Sequence, residues 1–399
     1  MKDIIRVAIV GVGNCTKSLV EGTALYSATH ETAGLAFVEI GGYRPEHINF
    51  VLAYDIDKRK VGRYLRDAIN AKPNCAIDLL DGYDAKTRSH MLSHVCSDVK
   101  VKRGALFDGV APHMLTAPED ESFRPTYDPE PDHDDIVKDL IDNEIDVLLN
   151  YLPVGSETAT RFYVEACLEA KVPFVNCIPV FIVSDPYWED RLHDAGIPAI
   201  GDDMRSQLGA SVMSQSLQEL FFNRGMQIKF HKQVNDGGNT DFLNMMDHTR
   251  LASKKISKEN VIRSQNDLRH IPVPKNGIYA GPSSYIPYQG DNKVAYFTIE
   301  ATGFGGAPVL FEAKLSVQDS PNSAGVVIDA IRYLQVAKEL GLVGSLRGPS
   351  AATQKTPPTQ MMLDDALEEC KALAERRLTD SLLLNNIHRS ENDVEEVPF

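Results

Sequence analysis

The chain has 399 residues, of which 43% are hydrophobic and 24% charged, and its formal net charge is −15 at pH 7. Such an excess of negative charge argues against a surface for nucleic acid or for an acidic membrane. No apolar run approaches the ~20 residues that a membrane-spanning helix needs, and the six cysteines lack CxxC spacing. We therefore expect a cytoplasmic protein with reduced cysteines and enough chain for two substantial domains.

Strands and helices alternate along the first part of the chain. Predicted strands lie at residues 4–14, 48–57, 97–103, 145–152, 172–178 and 197–203. Predicted helices lie at residues 15–27, 58–70, 135–143, 156–170, 185–195 and 206–225. Strands that alternate with helices of about 10–15 residues indicate parallel βαβ units. Residues 73–133 are less regular, and we expect an exposed loop at 123–135.

The pattern changes after residue 225. A strand is predicted at 226–234, and residues 293–317 read as a β-hairpin that turns at Gly303–Gly306. Alternate residues of its second arm are apolar, which is the period of a half-buried strand. Long helices return at 322–341 and 359–378. The sequence thus predicts an α/β protein with three parts: a Rossmann-type doubly wound domain (1–230 with 343–380), an antiparallel α+β domain (231–342) and an acidic tail (381–399).

The turn after the first strand has the residues of a dinucleotide site. Gly11 and Gly13 allow the backbone to approach a pyrophosphate at the positive end of the following helix. Asp55, at the end of the second strand, can bind a ribose diol and would repel a 2′-phosphate, which favours NAD over NADP. Thr16 stands where the fingerprint has a smaller residue, and Asp55 comes later than usual, so the first crossover carries an insertion. A glycine-rich turn without a ligand is the alternative.

Further candidate contacts of the cofactor flank this turn. Asn14 follows Gly13, and Asn150 and Leu152 end a strand that we expect beside the same cleft. Ser156, a few residues on, can equally be a helix N-cap.

A second strand–turn–helix offers an anion site. Ser206 and Gln207 fall at the predicted start of the helix, where free N–H groups would meet a phosphate. The alternative for Ser206 is an ordinary N-cap. Asp202 and Asp203 precede Ser206 in the sequence. They could be metal ligands, catalytic acids, or only carboxylates that complement the helix dipole.

Two polar corners follow. Asn239 and Asp241 come after a pair of glycines and suit sugar hydroxyls, although, taken alone, the stretch is better explained as a helix-capping loop. Asp319 and Ser320 end a strand in front of a proline. They form either a turn that binds an anion or a metal ion, or an ordinary turn at the end of a strand.

Four lysines lie near these stretches. If residues 251–260 are helical, Lys254 and Lys258 share a face, where like charges repel. Lys255 would point elsewhere and stay on the surface. Lys293 opens a strand and Lys355 lies in a loop, and each alone is explained by a solvated surface.

Taken together and in their order, these stretches resemble the myo-inositol-1-phosphate synthase family, in particular its short bacterial and archaeal form. The resemblance covers roughly residues 5–380. The stretches that carry it are GVGNC, NYLPVGSE, FVNCIPVFI, GDDMRSQLGA, GGNTDFLNM, SKKISK, NKVA, QDSPNSAG and the lysine of GPSAATQKTPP.

The resemblance implies conversion of glucose 6-phosphate into 1L-myo-inositol 1-phosphate, with tightly held NAD and no net redox change. C5 is oxidised, C6 loses a proton, the enolate closes the ring on the C1 aldehyde, and C5 is reduced again. Negative charge develops on oxygen, and fixed cations can each stabilise it by several kcal/mol. The resemblance also implies a role in inositol and phospholipid biosynthesis and a homotetramer formed through the second domain.

The resemblance also implies roles for the lysines. Lys254 would exchange the O5 proton, Lys258 and Lys293 would hold the phosphate and the oxyanions, and Lys355 would polarise the C1 aldehyde. Lysine suits such work because burial and crowding lower its pKa readily. The substrate phosphate would rest at Ser206–Gln207.

Carboxylates and an amide complete the implied site. Asp203, Asn239 and Asp241 would orient hydroxyls, and Asp319 would complete the lysine network. Asp241 and Asp319 are also the candidate ligands of a divalent or monovalent cation. Arg205 departs from the family, which usually has lysine there, so the charge is retained and the geometry changes.

Two other functions fit part of these features. An NAD-dependent sugar-phosphate dehydrogenase shares the cofactor turn, but it would release NADH stoichiometrically and would not need four convergent lysines. A non-catalytic NAD-binding sensor would have no reason to carry the lysines at all.

Overall fold

The structure is a computed structural model that describes residues 2–247, 250–383 and 386, with only the backbone described at 251–255 and 283. Its strands are β1 (Ile5–Val10), β2 (Ile48–Asp55), β3 (Val101–Arg103), β4 (Val147–Asn150), β5 (Phe174–Asn176), β6 (Pro198–Ile200), β7 (Gln227–Gly237), β8 (Ile278–Tyr285), β9 (Asn292–Thr302), β10 (Pro308–Gln318) and β11 (Gly344–Ser345). The predicted tail, 381–399, lies mostly outside the described residues.

Helices separate most of these strands. They are α1 (Asn14–Thr29), α2 (Leu65–Ala68), α3 (Ala85–Cys96), α4 (His133–Asp142), α5 (Glu157–Ala170), α6 (Pro186–Ala195), α7 (Ala210–Asn223), α8 (Thr240–Asn244), α9 (Leu251–Asp267), α10 (Asp319–Glu339), α11 (Arg347–Thr353), α12 (Leu363–Ala374) and α13 (Asp380–Leu383). None of those in the described part of the chain has both the length and the apolarity that crossing a membrane requires.

The first sheet confirms the predicted Rossmann-type architecture. Its strands pair in parallel in the order β3-β2-β1-β4-β5-β6-β11. Side chains of α1, α3 and α10 form the core on one face, and side chains of α4, α5 and α6 form the core on the other. With both faces covered, the strands are mostly apolar, as in β1, where Arg6 is the one charged residue. From β1 the chain adds strands first on one side of the sheet (β2, β3) and then on the other (β4, β5, β6). Folds of this kind bind their ligands at the point between β1 and β4 where this direction changes.

The second sheet has the order β10-β9-β7-β8 in the described residues. The predicted hairpin is confirmed, because β9 and β10 pair antiparallel on either side of Gly303–Gly306. The prediction of a purely antiparallel sheet is wrong, since β8 joins β7 in parallel. A parallel neighbour needs a long crossover, which the segment with α8 and α9 provides.

The structure corrects two further predictions. The helix expected at 58–70 is only α2, because the preceding residues form a turn in which the carboxylate of Asp57 takes the backbone N–H of Arg59 and Gly62 has a φ of 80°. Two helices also pack on a different sheet from the one that the predicted domain boundaries imply. Helix α7 packs on the second sheet, and α10 packs on the first, so the return to the first sheet comes before residue 343.

Candidate active site

The turn between β1 and α1 is shaped for the close approach of a ligand. Gly11 has a φ of 98°, and a Cβ there would lie 2.5 Å from the carbonyl oxygen of Tyr151. The hydroxyl of Thr16 donates to the carbonyl of Gly11 at 2.6 Å, so the residue that departs from the fingerprint supports the turn. A Cβ at Gly13 would meet no described atom within 4 Å. This open side at the start of a helix fits the pyrophosphate of a dinucleotide.

Asp55 lies at the end of β2 beside this turn. Its carboxylate accepts hydrogen bonds from the backbone N–H of Val12 and of Asp57, both at 2.7 Å. Nζ of Lys60, a buried residue that the sequence analysis missed, is 4.0 Å from the carboxylate and donates to the carbonyl of Val12 at 2.6 Å. Burial lowers the pKa of Lys60. Asp55 and Lys60 therefore lie beside the turn, at the end of the cleft where we expect the ribose of the cofactor.

One cleft joins this turn to the predicted substrate site. It opens at the carboxyl ends of the strands, where the strand order reverses between β1 and β4. The predicted site residues that line it are Gly11, Gly13, Asn14, Asp55, Leu152, Asp203, Ser206, Asn239, Asp241, Lys293, Asp319 and Lys355. Cofactor and substrate candidates that lie far apart in the sequence therefore face a common space.

Lys355 and Asp203 form one ion pair in this cleft. Nζ of Lys355 is 2.9 Å from Oδ1 of Asp203 and donates to the carbonyl of Met204 at 2.7 Å. The other carboxylate oxygen of Asp203 accepts from the hydroxyl of Ser257, on α9, at 2.7 Å. Asp203 is almost fully buried, so its charge and its orientation are set by these partners.

Lys293 and Asp319 form a second ion pair. Nζ of Lys293 lies 3.0 Å from Oδ1 and 3.3 Å from Oδ2 of Asp319. Lys293 opens β9, and Asp319 is the first residue of α10, directly after β10. The hairpin register, which pairs Val317 with Lys293, brings the two together. Two ammonium groups, each beside a carboxylate, therefore line the cleft.

Asp291 is a buried acid that the sequence analysis missed. Its carboxylate accepts from the backbone N–H of Ser320 at 3.0 Å and from the hydroxyl of the same residue at 2.9 Å. The side-chain amides of Asn239 and Asn14 donate to it at 3.1 and 3.4 Å. Burial and the nearby charge of Asp319 raise its pKa to about 6. Asp291 thus connects Asn14 of the nucleotide turn with the candidate substrate residue Asn239 through hydrogen bonds. The one feature of the sequence that pointed to it was its position two residues before Lys293.

Four predicted site residues are not among the described residues that line the cleft. Asn150 is buried behind the cleft, where its amide donates to Thr160 and to Asn176. Gln207 and Lys258 do not line the cleft in the described structure, although Lys258 is buried next to Ser257 on α9. The side chain of Lys254 lies outside the described residues, but its backbone is in α9, as the sequence predicts.

The predicted helix start at Ser206 is wrong. Helix α7 begins at Ala210, with Gly209 as its N-cap, and Ser206 lies in the turn before it. The guanidinium of Arg205 is buried and donates to the carbonyl of Gln354 and to the side chain of Gln215. This arginine therefore braces the turn, with burial lowering its pKa to about 10.

Asp202 and the metal candidates have different surroundings. Asp202 is buried and accepts hydrogen bonds from Asn176 and from the loop after β5, which identifies it as a structural acid. Asp241 and Asp319 both line the cleft. Among the described residues, no group of three or more histidine, cysteine or acidic side chains is arranged to hold a metal ion.

Comparisons with known proteins agree on one family. The family model for myo-inositol-1-phosphate synthase matches residues 209–320. The inositol-3-phosphate synthase of Mycolicibacterium smegmatis is 41% identical over 375 residues, which cover 93% of this chain and 98% of that protein. The crystal structure of Ari2 is 30% identical, with a TM-score of 0.71 over 93% of this chain and 98% of that one. The inositol-3-phosphate synthase structure from Caenorhabditis elegans, 14% identical, shares the fold with a TM-score of 0.69 over 100% of this chain and 90% of that one.

Proposed function

The chain belongs to the myo-inositol-1-phosphate synthase family, and we propose that it is an inositol-3-phosphate synthase, an isomerase that cyclises D-glucose 6-phosphate with NAD. The observation that carries the proposal is the meeting of a dinucleotide turn with two lysine–carboxylate pairs in one cleft. A homotetramer, a cytoplasmic location and a role in inositol and phospholipid biosynthesis are part of the same proposal, and they rest on the family.

The cofactor end of the cleft would hold NAD through this chain's own groups. The open backbone at Gly13 and the start of α1 would receive the pyrophosphate. The carboxylate of Asp55 would bind the ribose diol. NAD, when bound, supplies a reversible hydride acceptor for C5 of the sugar.

Lys355 would serve the C1 end of the open-chain substrate. Its ammonium is fixed between Asp203 and a backbone carbonyl, so it would need little reorganisation to donate a hydrogen bond to the aldehyde oxygen. Such a donor stabilises the alkoxide that forms when the ring closes. Asp203 would keep Lys355 charged and aligned, because an opposite charge favours the ammonium form.

Lys293 would serve the phosphate and the developing oxyanions. Its partner Asp319 is only partly buried, so the pair can open toward an anionic ligand. Asn239 and Asp241, at the start of α8, would orient hydroxyls in the same cleft. Lys254 and Lys258 on α9 would complete the set, with Lys254 exchanging the O5 proton as the family resemblance implies.

A product assay tests the proposal. The full-length protein is incubated with glucose 6-phosphate and a catalytic amount of NAD⁺, and inositol phosphate and NADH are both measured. The synthase makes inositol phosphate without net NADH. Stoichiometric NADH would identify a sugar-phosphate dehydrogenase instead, and the absence of both products would leave only an NAD-binding sensor.

A further inference from the structure

Three consecutive cations follow the acid that we assign to the ribose. Lys58, Arg59 and Lys60 begin three residues after Asp55, the last residue of β2. In dinucleotide-binding folds an arginine near this position accommodates the 2′-phosphate of NADP. By sequence alone, this basic run would therefore favour NADP, against the preference that Asp55 indicates.

Two of the three cations have other partners in the structure. Nζ of Lys60 is buried under the turn, where it donates to the carbonyl of Val12 and to the side chain of Asn74. Nζ of Lys58 lies 3.1 Å from the carboxylate of Glu119, and both side chains are more than half exposed. The position of Arg59 therefore decides whether a cation of this run can reach the 2′-phosphate of NADP.

The guanidinium of Arg59 is held by Asp57. Oδ1 of Asp57 accepts both the backbone N–H and Nε of Arg59, each at 2.8 Å, and Oδ2 accepts Nη2. The same guanidinium donates to the backbone carbonyls of Glu119 and Ser122, at 2.7 Å for Ser122. These acceptors point the guanidinium at a neighbouring chain segment rather than at Asp55.

Asp57 is itself fixed by that segment. Its carboxylate is buried and accepts the backbone N–H of Arg124 at 2.9 Å, while the backbone at 56–58 pairs with residues 124–126. Burial raises the pKa of Asp57, but the hydrogen bonds from Arg59 and Arg124 outweigh it, and the pKa lies below its usual range. The aspartate is therefore charged when it binds Arg59.

We propose that Asp57 is a specificity-determining residue that excludes NADP by holding Arg59 away from the ribose site. The inference rests on the proposed function, since it concerns the nucleotide that this cleft binds. Asp55 repels a 2′-phosphate directly, and the Asp57–Arg59 pair withdraws a cation that could otherwise compensate for that repulsion.

The test measures binding of NAD⁺ and of NADP⁺ to the full-length protein by isothermal titration calorimetry. The unchanged protein should bind NAD⁺ far more tightly than NADP⁺. Asp57→Asn keeps the shape of the side chain but weakens its hold on Arg59, so the ratio of the two Kd values should shift toward NADP⁺ by roughly tenfold, the scale of one charge-assisted hydrogen bond. Adding Arg59→Gln to Asp57→Asn should abolish that gain.

Arg59→Gln alone is the matched control, and it stays informative if Asp57→Asn does not fold. It should leave the ratio of the two Kd values unchanged, because the guanidinium does not face the ribose site. A loss of NADP⁺ affinity in Arg59→Gln that exceeds the loss of NAD⁺ affinity overturns the inference. An unchanged ratio in folded Asp57→Asn also overturns it. If the unchanged protein binds neither nucleotide, the cofactor part of the proposed function fails, and the inference fails with it.

Discussion

The ammonium of Lys355 and the carboxylate of Asp203 lie 2.9 Å apart, although 152 residues separate them in the chain. The second oxygen of Asp203 accepts the hydroxyl of Ser257. One carboxylate thus joins the loop after β6, the helix α9 and the segment after α11. The two residues should therefore affect both catalysis and stability, and the two effects can be separated.

Lys355→Met should lower kcat by roughly 10²–10³-fold, the scale seen when one donor to an oxyanion is removed. It should also lower the free energy of unfolding, by up to about 3–5 kcal/mol, because it removes the ammonium partner of the buried Asp203 carboxylate. Assays of inositol phosphate formation and urea unfolding measure the two effects. The double variant Lys355→Met with Asp203→Asn should regain much of the stability and none of the activity. Normal turnover in Lys355→Met would contradict the assigned role.

The lysines of α9 offer an internal comparison on one helix. Lys258 is buried on α9, and the role that the family resemblance implies for it predicts that Lys258→Met lowers turnover by at least roughly 10²-fold through loss of a cation. Lys255, which the sequence predicts to remain on the surface, supplies the matched control, and Lys255→Met should retain turnover close to that of the unchanged protein. Equal losses in both variants would show that the effect comes from the helix as a whole.

Two glycines of the nucleotide turn should respond differently to alanine. Gly11→Ala places a Cβ 2.5 Å from a carbonyl oxygen at a φ of 98°, so it should cost at least about 2 kcal/mol of folding stability. Gly13 has an extended backbone that alanine also adopts. Gly13→Ala should therefore keep the Tm within a few degrees while weakening NAD⁺ binding, since its Cβ enters the open side of the turn. Thermal unfolding and calorimetric titration distinguish the two, and unchanged NAD⁺ affinity in Gly13→Ala would refute the assigned pyrophosphate site.

The features that the sequence predicted well are local. Alternation of apolar strands with helices, the glycines at the first turn and the period of two along β10 each act within a few residues. They were sufficient for the parallel sheet and for the hairpin. Strand β8 was missed because its sequence, IYAGPSSY, carries glycine, proline and two serines and becomes a strand only by pairing with β7.

The site was predicted less completely because its geometry depends on residues distant in the chain. Asp291 matters through Asn14, Asn239 and Ser320, and no local pattern indicates that convergence. Asn150 shows the opposite case. It is the last residue of β4, at the expected edge of the sheet, but its amide turns inward to neighbouring polar groups.

Asp291 should give the protein a measurable pH dependence. Its pKa rises from 3.8 to about 6 in the folded state, so the folded protein binds a proton more tightly than the unfolded chain does. Between about pH 4 and pH 6 the folded state therefore carries more protons, and the free energy of unfolding falls as the pH rises. A shift of about two pKa units corresponds to a loss of about 3 kcal/mol that is complete above pH 6.

Asp291→Asn isolates this contribution from the other buried acids, such as Asp202 and Asp329, whose pKa values are also raised to about 6. Urea unfolding of both proteins at several pH values from 4 to 7 gives the difference in stability. The asparagine exchanges an acceptor for a donor among Asn14, Asn239 and Ser320, which adds a cost that does not vary with pH. Apart from this pH-independent cost, the free energy of unfolding of the unchanged protein should fall relative to that of Asp291→Asn as the pH rises. A flat difference would show that Asp291 is ionised in the folded protein throughout this range, and that its four hydrogen bonds compensate fully for its burial beside Asp319.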